Sequence, residues 1–108
     1  MKPEAQRIAI AGALGYPEPR MGEFGRCYAG ELPNLEEVPD YLNDLNAMHD
    51  VEVDLRPWQH ERFRDMLADL VSGQNVAREY YHTLRHYVSA PAAMRAEAYL
   101  RIKSLWKD

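Results

Sequence analysis

The sequence predicts a predominantly helical fold of three to four helices, α+β where the irregular stretch between the first two helices pairs as a hairpin and all-α where it stays a loop. Three observations carry that expectation. Apolar residues recur at helical spacing in separate runs near the start, middle and end of the chain, Gly or Pro closes every run but the last, and residues 16–38 lose the period altogether. With 108 residues and 46% hydrophobic content, residues 1–108 read as a single domain whose core only just outweighs chain entropy. A homo-oligomer is the natural supplement.

The first helix is expected over Pro3 to Leu14, with Ala5, Ile8, Ala9, Ala11 and Leu14 as its apolar face. Pro3 suits an early helical position, and Gly15 suits the left-handed turn that ends a helix, with Pro17 and Pro19 following. From Tyr16 to Val38 the text is punctuated by Pro17, Pro19, Gly22, Gly25, Gly30 and Pro33, which admits either a long functional loop or a short packed hairpin carrying Phe24 and Tyr28 inward. A second helix is expected from Pro39 to Leu55, with Tyr41, Leu45, Met48, Val51 and Leu55 buried, Asn43, Asn46, Asp50 and Asp54 outward, and Asp40 in its first turn. Arg56-Pro57 breaks that run and Trp58 to Ser72 makes the third helix around Phe63, Met66, Leu67, Leu70 and Val71, ended by Gly73. Residues 74–88 read as helix followed by an extended tip, with a short strand over Leu84 to Val88 as the other possibility. The last helix spans Pro91 to Trp106, with Met94, Ala98, Ile102 and Leu105 on one side and Glu97 four residues before Arg101.

The charge balance narrows the function classes. Thirteen basic against seventeen acidic residues leave a net charge of −4, which opposes general nucleic-acid binding. Cys27 stands alone, so no internal disulfide forms and its thiol reads as a packing residue in a reducing cytoplasm. The opening residues lack the grammar of a signal peptide and no apolar run reaches membrane-spanning length, so a cytoplasmic protein without a membrane partner is expected.

No phosphate-binding glycine loop, nucleophile elbow or complete metal motif occurs, and no catalytic residue, metal or cofactor is assigned. His82 and His86 share a helical face, but the further ligands of a zinc site are missing. Asp40, Asp44, Asp50, Glu52 and Asp54 read as a solvated helix face, and His49 and His60 as ordinary surface or partly buried histidines. The segment with most chemistry is Arg78 to Tyr87, where aromatic rings interleave with cations. Arg78, Tyr81, His82, Arg85 and His86 can stack a base and hold a phosphate, and Arg20, Arg26 and Tyr28 of the irregular stretch are the other candidate ligand-binding residues.

Three blocks of text carry a resemblance: Arg7-Ile8-Ala9-Ile10-Ala11, the run from Val38 to His49, and Arg95 to Arg101 with Leu105-Trp106-Lys107. Together they resemble the small phage and prophage proteins of the phage ABA-sandwich family and frame nearly the whole chain. Only the resemblance implies an α/β/α sandwich-like, helix–sheet–helix arrangement, with a small antiparallel sheet drawn from residues 16–38 and from Leu84 to Ser89. It implies no settled activity. The chain departs from the family where Gly12, Leu14, Gly15 and Tyr16 replace an acidic residue and a Cys-Gly-Trp ending, and where Pro91 stands in place of a Thr cap, leaving Ser89 to take over capping.

The resulting expectation is a phage-encoded accessory protein of a host bacterial cytoplasm, more a binder than an enzyme, that counters host defence by sequestering a small (cyclic) nucleotide signal. The alternatives are an inhibitor that binds a host defence protein through the acidic second helix and exposed aromatics, and a small nucleotide hydrolase using His82 or His86.

Overall fold

Pro3 opens the first helix, α1 (Pro3–Ala13), and Gly15 closes it. The chain turns there at φ 93°, with the Tyr16 N–H donating to Ala11 O at 3.0 Å and the Gly15 N–H to Gly12 O at 3.1 Å, so the last carbonyls of α1 are satisfied as the sequence predicts. The computed structural model describes residues 1–72 and 90–108; the helix, tip and strand expected between residues 74 and 88, and the Ser89 cap, lie outside them.

The described chain is α+β, about half helical, with four helices and one three-stranded antiparallel sheet. The buried face of α1 is rotated from the expected one: Gln6, Arg7, Ile10 and Ala11 are buried, Ile8, Ala9 and Leu14 are half-buried, and Ala5 is exposed. Four consecutive apolar residues from Ile8 to Ala11 leave the phase of the helix undetermined, and contact with the sheet and the last helix decides it.

Residues 16–38 form the sheet, in the order β1 (Arg20–Met21), β2 (Cys27–Ala29), β3 (Glu36–Val38). Met21, Cys27 and Val38 stand opposite one another and turn inward, while Arg20, Tyr28 and Glu37 form the next row on the other face. The hairpin expectation holds for the backbone, but Phe24 does not pack inward. It sits at the β1–β2 turn almost wholly in solvent.

The second helix is shorter than expected: α2 covers Leu45–Glu52. Asp44 ends its own preceding turn by capping α2, its Oδ1 accepting from the Ala47 N–H at 3.1 Å, while Asp40 is bonded locally by Asn43 Nδ2 at 2.9 Å. Short polar side chains that bond nearby groups compete with helix, which is why residues 39–43 form a turn and Asp40 is not in the first turn of α2. Tyr41, Met48, Val51 and Leu55 are buried as expected, but Leu45, on the outer side, is 41% exposed.

The third helix, α3 (Pro57–Ser72), follows the expected span, with Phe63 and Leu67 fully buried. The last, α4 (Ala92–Ile102), is shorter than expected at its C-terminal end and packs on α3, α1 and α2. Its deepest residues are Arg95, Ala96, Ala98, Tyr99 and Leu100; Met94, Ile102 and Leu105 are only half-buried. Glu97 does bond Arg101, at 2.7 Å. Cys27 lies in the core, where burial pushes its thiol pKa up and the nearby Arg7 charge partly offsets the rise.

Two charges share that interior. Arg95 Nη1 donates to Glu52 Oε1 at 2.7 Å and Arg95 Nε to Ala90 O at 3.1 Å, both side chains being nearly inaccessible. Nearby, the Tyr99 hydroxyl donates to Asp54 Oδ2 at 3.1 Å, which also faces Lys103 Nζ at 3.5 Å.

Candidate functional site

A polar cleft opens where α1 meets the β1–β2 turn. One turn before Ile10 and Ala11, Arg7 shares their buried face, and its guanidinium crosses to the hairpin, where Nη1 donates to Gly25 O at 2.6 Å. Its Nε lies 3.7 Å from Asp40 Oδ1. That is ion-pair distance but too long for a hydrogen bond, and both buried atoms are left without a hydrogen-bond partner among the described residues. The cleft, of about 410 Å³, is lined by Arg7, Gly25, Arg26, Glu37, Val38, Pro39 and Asp40.

At its rim Arg26 Nε faces Glu37 Oε1 at 3.6 Å, and the Arg26 side chain is 61% exposed, so this pair is loose and solvent-screened. Two cations thus face two carboxylates. The site is neutral overall, which suits a ligand with few negative charges and an apolar or aromatic body rather than a polyanion. A smaller recess of about 100 Å³ shares Arg7, Gly25 and Asp40 with the cleft and is further bounded by Pro3, Glu4, Met21, Leu42 and Asn43.

Of the residues singled out in the sequence, Arg20, Tyr28 and Arg26 gather on or beside the outer face of this sheet. Arg20 and Tyr28 are directly opposed across β1 and β2, and Tyr28 opposes Glu37 across β2 and β3. Arg20 spends its guanidinium on the backbone, donating to Glu18 O at 2.9 Å and Gly30 O at 2.7 Å. Tyr28 lies half-buried over Gly22, where an added Cβ would come within 2.7 Å of its ring carbons. Arg26 alone of the three lines the cleft. Arg78, Tyr81, His82, Arg85 and His86 lie outside the described residues.

Sequence reasoning passed over Arg7, Glu37 and Asp40. Arg7 carries no readable signal, because the phase of α1 is set by contacts outside the helix, and Asp40 was assigned to a solvated helix face when it is in fact half-buried beside Arg7. Among the described residues no group of three or more His, Cys, Asp or Glu side chains is placed to hold a metal ion, and no helix is long and apolar enough to cross a membrane.

A second recess, of about 190 Å³, is lined by Leu14, Tyr16, Pro39, Tyr41, Ala47, Asp50 and Val51. Burial, followed by the neighbouring Tyr16 phenol, holds the Tyr41 pKa far above its ordinary value, so that hydroxyl stays protonated at neutral pH. Fold and cleft together define a small α+β chain with a charge-balanced recess against its sheet. Comparison with family models, with curated proteins and with solved structures gives no match for it.

Proposed function

We propose that this chain is a binding protein that captures a small nucleotide without transforming it, with the cleft between α1 and the β1–β2 turn as the anion-binding part of its site. In the phage setting that the sequence resemblance implies, such capture removes a host signalling nucleotide. The observation that carries the reading is the buried Nε of Arg7, held without a hydrogen-bond acceptor on a cleft whose rim presents the exposed guanidinium of Arg26. A phosphate oxygen entering there satisfies the first donor and gains a charge-assisted bond from the second. Assembly into a homo-oligomer belongs to the same proposal, since pockets between copies enlarge a site that a domain of this size offers only in part.

The test is a titration of the purified chain with linear and cyclic nucleotides, followed by melting temperature and native mass, with recovery of the ligand after denaturation. The expected result is a stabilised chain and an unchanged ligand, with Arg26→Ala weakening capture about tenfold or more. A ligand recovered as a product, or no stabilisation by any nucleotide, sinks the reading.

A second reading, inhibition of a host protein, is favoured by one corner of the surface. Val53 at the end of α2 is 80% exposed and Trp58 at the start of α3 is 56% exposed, with exposed Asp50 and Asp54 alongside. A Trp anchor with a polar rim is a common hot-spot arrangement, and acidic side chains in that rim suit a basic partner. Capture of a basic host protein that is lost with Trp58→Ala, in a chain indifferent to nucleotides, selects this reading over the first.

A further inference from the structure

Phe24 occupies a position that neither its backbone nor its side chain favours. At the β1–β2 turn the Arg26 N–H donates to Glu23 O at 3.2 Å, and the two central residues, Phe24 (φ 59°, ψ 28°) and Gly25 (φ 71°), both have positive φ. This is the signature of a type I′ turn, whose twist matches the flanking strands and whose first central position belongs to Asn, Asp or Gly. A bulky aromatic residue in the left-handed region is a backbone outlier. The ring gains nothing in return from the described residues, since Phe24 is 93% exposed.

A residue disfavoured on both counts, at a position that suits Asn, Asp or Gly, points to something outside the chain that the ring touches. What lies beside it narrows the choice. Gly25 and Arg26, the next two residues, form part of the cleft wall, and the Gly25 carbonyl is fixed to Arg7 at 2.6 Å, so the turn carrying the ring is tied to the guanidinium on the cleft. An aromatic face next to paired guanidinium groups matches a ligand with a flat ring at one end and a phosphate at the other.

Resting on the cleft reading above, we infer that Phe24 is the stacking residue for the base of a nucleotide whose phosphate occupies the Arg7–Arg26 cleft. The strained turn holds the ring out of the chain, available to a base. Stacking is tolerant of base identity, so Phe24 contributes affinity while the cleft fixes the phosphate end.

The test uses calorimetric titration of the full chain with adenosine 5′-monophosphate and with ribose 5-phosphate, which differ only in the base. The wild-type chain is expected to prefer the nucleotide about 5- to 150-fold, the ratio that corresponds to one stacked base. Phe24→Asn is expected to abolish that preference, leave ribose 5-phosphate binding unchanged, and raise the melting temperature by relieving the turn; Phe24→Trp is expected to keep the preference. Equal affinity for the two compounds, or a preference that survives in Phe24→Asn, overturns the stacking role while leaving the cleft reading in place. Binding of neither compound overturns this inference and leaves the cleft reading to the wider nucleotide titration, and a Phe24→Asn chain that melts lower than wild type overturns the premise that the turn is strained for a ligand.

Discussion

Arg95 and Glu52 meet at 2.7 Å in the interior, joining α4 to the last residue of α2 across 43 positions of sequence. The pair is incomplete, because Glu52 Oε2 is buried without a hydrogen-bond partner among the described residues. Taking two charges out of water costs much of what their attraction returns, so the contact is a weak source of net stability but a severe liability if one partner is removed.

Arg95→Met therefore leaves a buried carboxylate facing an apolar group, and the expected loss is about 3–5 kcal/mol. Glu52→Gln keeps an acceptor for the guanidinium and is expected to cost less. Urea unfolding midpoints of the two variants check the order.

The same carboxyl group makes stability depend on pH. Burial raises the Glu52 pKa above its ordinary value of 4.5, against the opposing pull of Arg95 and His49, so the folded chain keeps this proton to a higher pH than the unfolded chain does. Its stabilising contribution is full below about 4.5 and declines as pH rises through the raised value. The wild-type minus Glu52→Gln stability difference is expected to fall with rising pH across that window. A difference flat in pH refutes it.

The ends of α1 and α4 offer a matched pair of backbone tests. Both close with the same bonds, the Leu105 N–H donating to Leu100 O at 2.8 Å just as Tyr16 donates to Ala11, but the left-handed residue is Gly15 in one and Ser104, at φ 60°, in the other. A Cβ added at Gly15 meets nothing within 4 Å, so Gly15→Ala reports the backbone cost alone. The expected outcome is a loss of about 1 kcal/mol for Gly15→Ala and a gain of similar size for Ser104→Gly, read from thermal unfolding.

Gly22 and Tyr28 should behave as one unit. A methyl group at Gly22 runs into the Tyr28 ring at 2.7 Å, so Gly22→Ala is expected to destabilise the hairpin by displacing that ring. In Tyr28→Ala the same substitution is expected to cost less, giving a coupling energy of about 0.5–3 kcal/mol in a double-mutant cycle. Additive effects place the ring elsewhere.

The helices were legible in the sequence because their signals are local. Pro3, Gly15, Pro57 and the Glu97–Arg101 spacing mark helix ends and faces, and the chain obeys them. The sheet was not legible, since strands of two and three residues between Gly and Pro are too short for alternation to register, and it entered as an expectation from resemblance. The start of α2 was misplaced because Asp40, Asn43 and Asp44 look equally at home on a helix face and in a turn, and only the bonds they make decide between the two.

The candidate site was visible only in fragments. Arg26 was singled out, but the cleft is assembled from three separate segments, Arg7 on α1, Gly25 and Arg26 at the β1–β2 turn, and Glu37 to Asp40, and such a meeting has no sequence period. Glu52 and Arg95 make the same point, for each lies among apolar neighbours on its own helix, yet the partner is set by how α2 and α4 pack.

The brevity of the strands makes the β3 edge a poor place for a second copy of this chain to pair. An open β edge invites another chain to add a strand, and the described sheet ends on one side in β3, only three residues long, with exposed Glu36 and Glu37. A second copy pairing there antiparallel brings like charges together along the new seam and gains few ladder bonds for it. Concentrated solutions should accordingly resist fibrillar stacking through that edge.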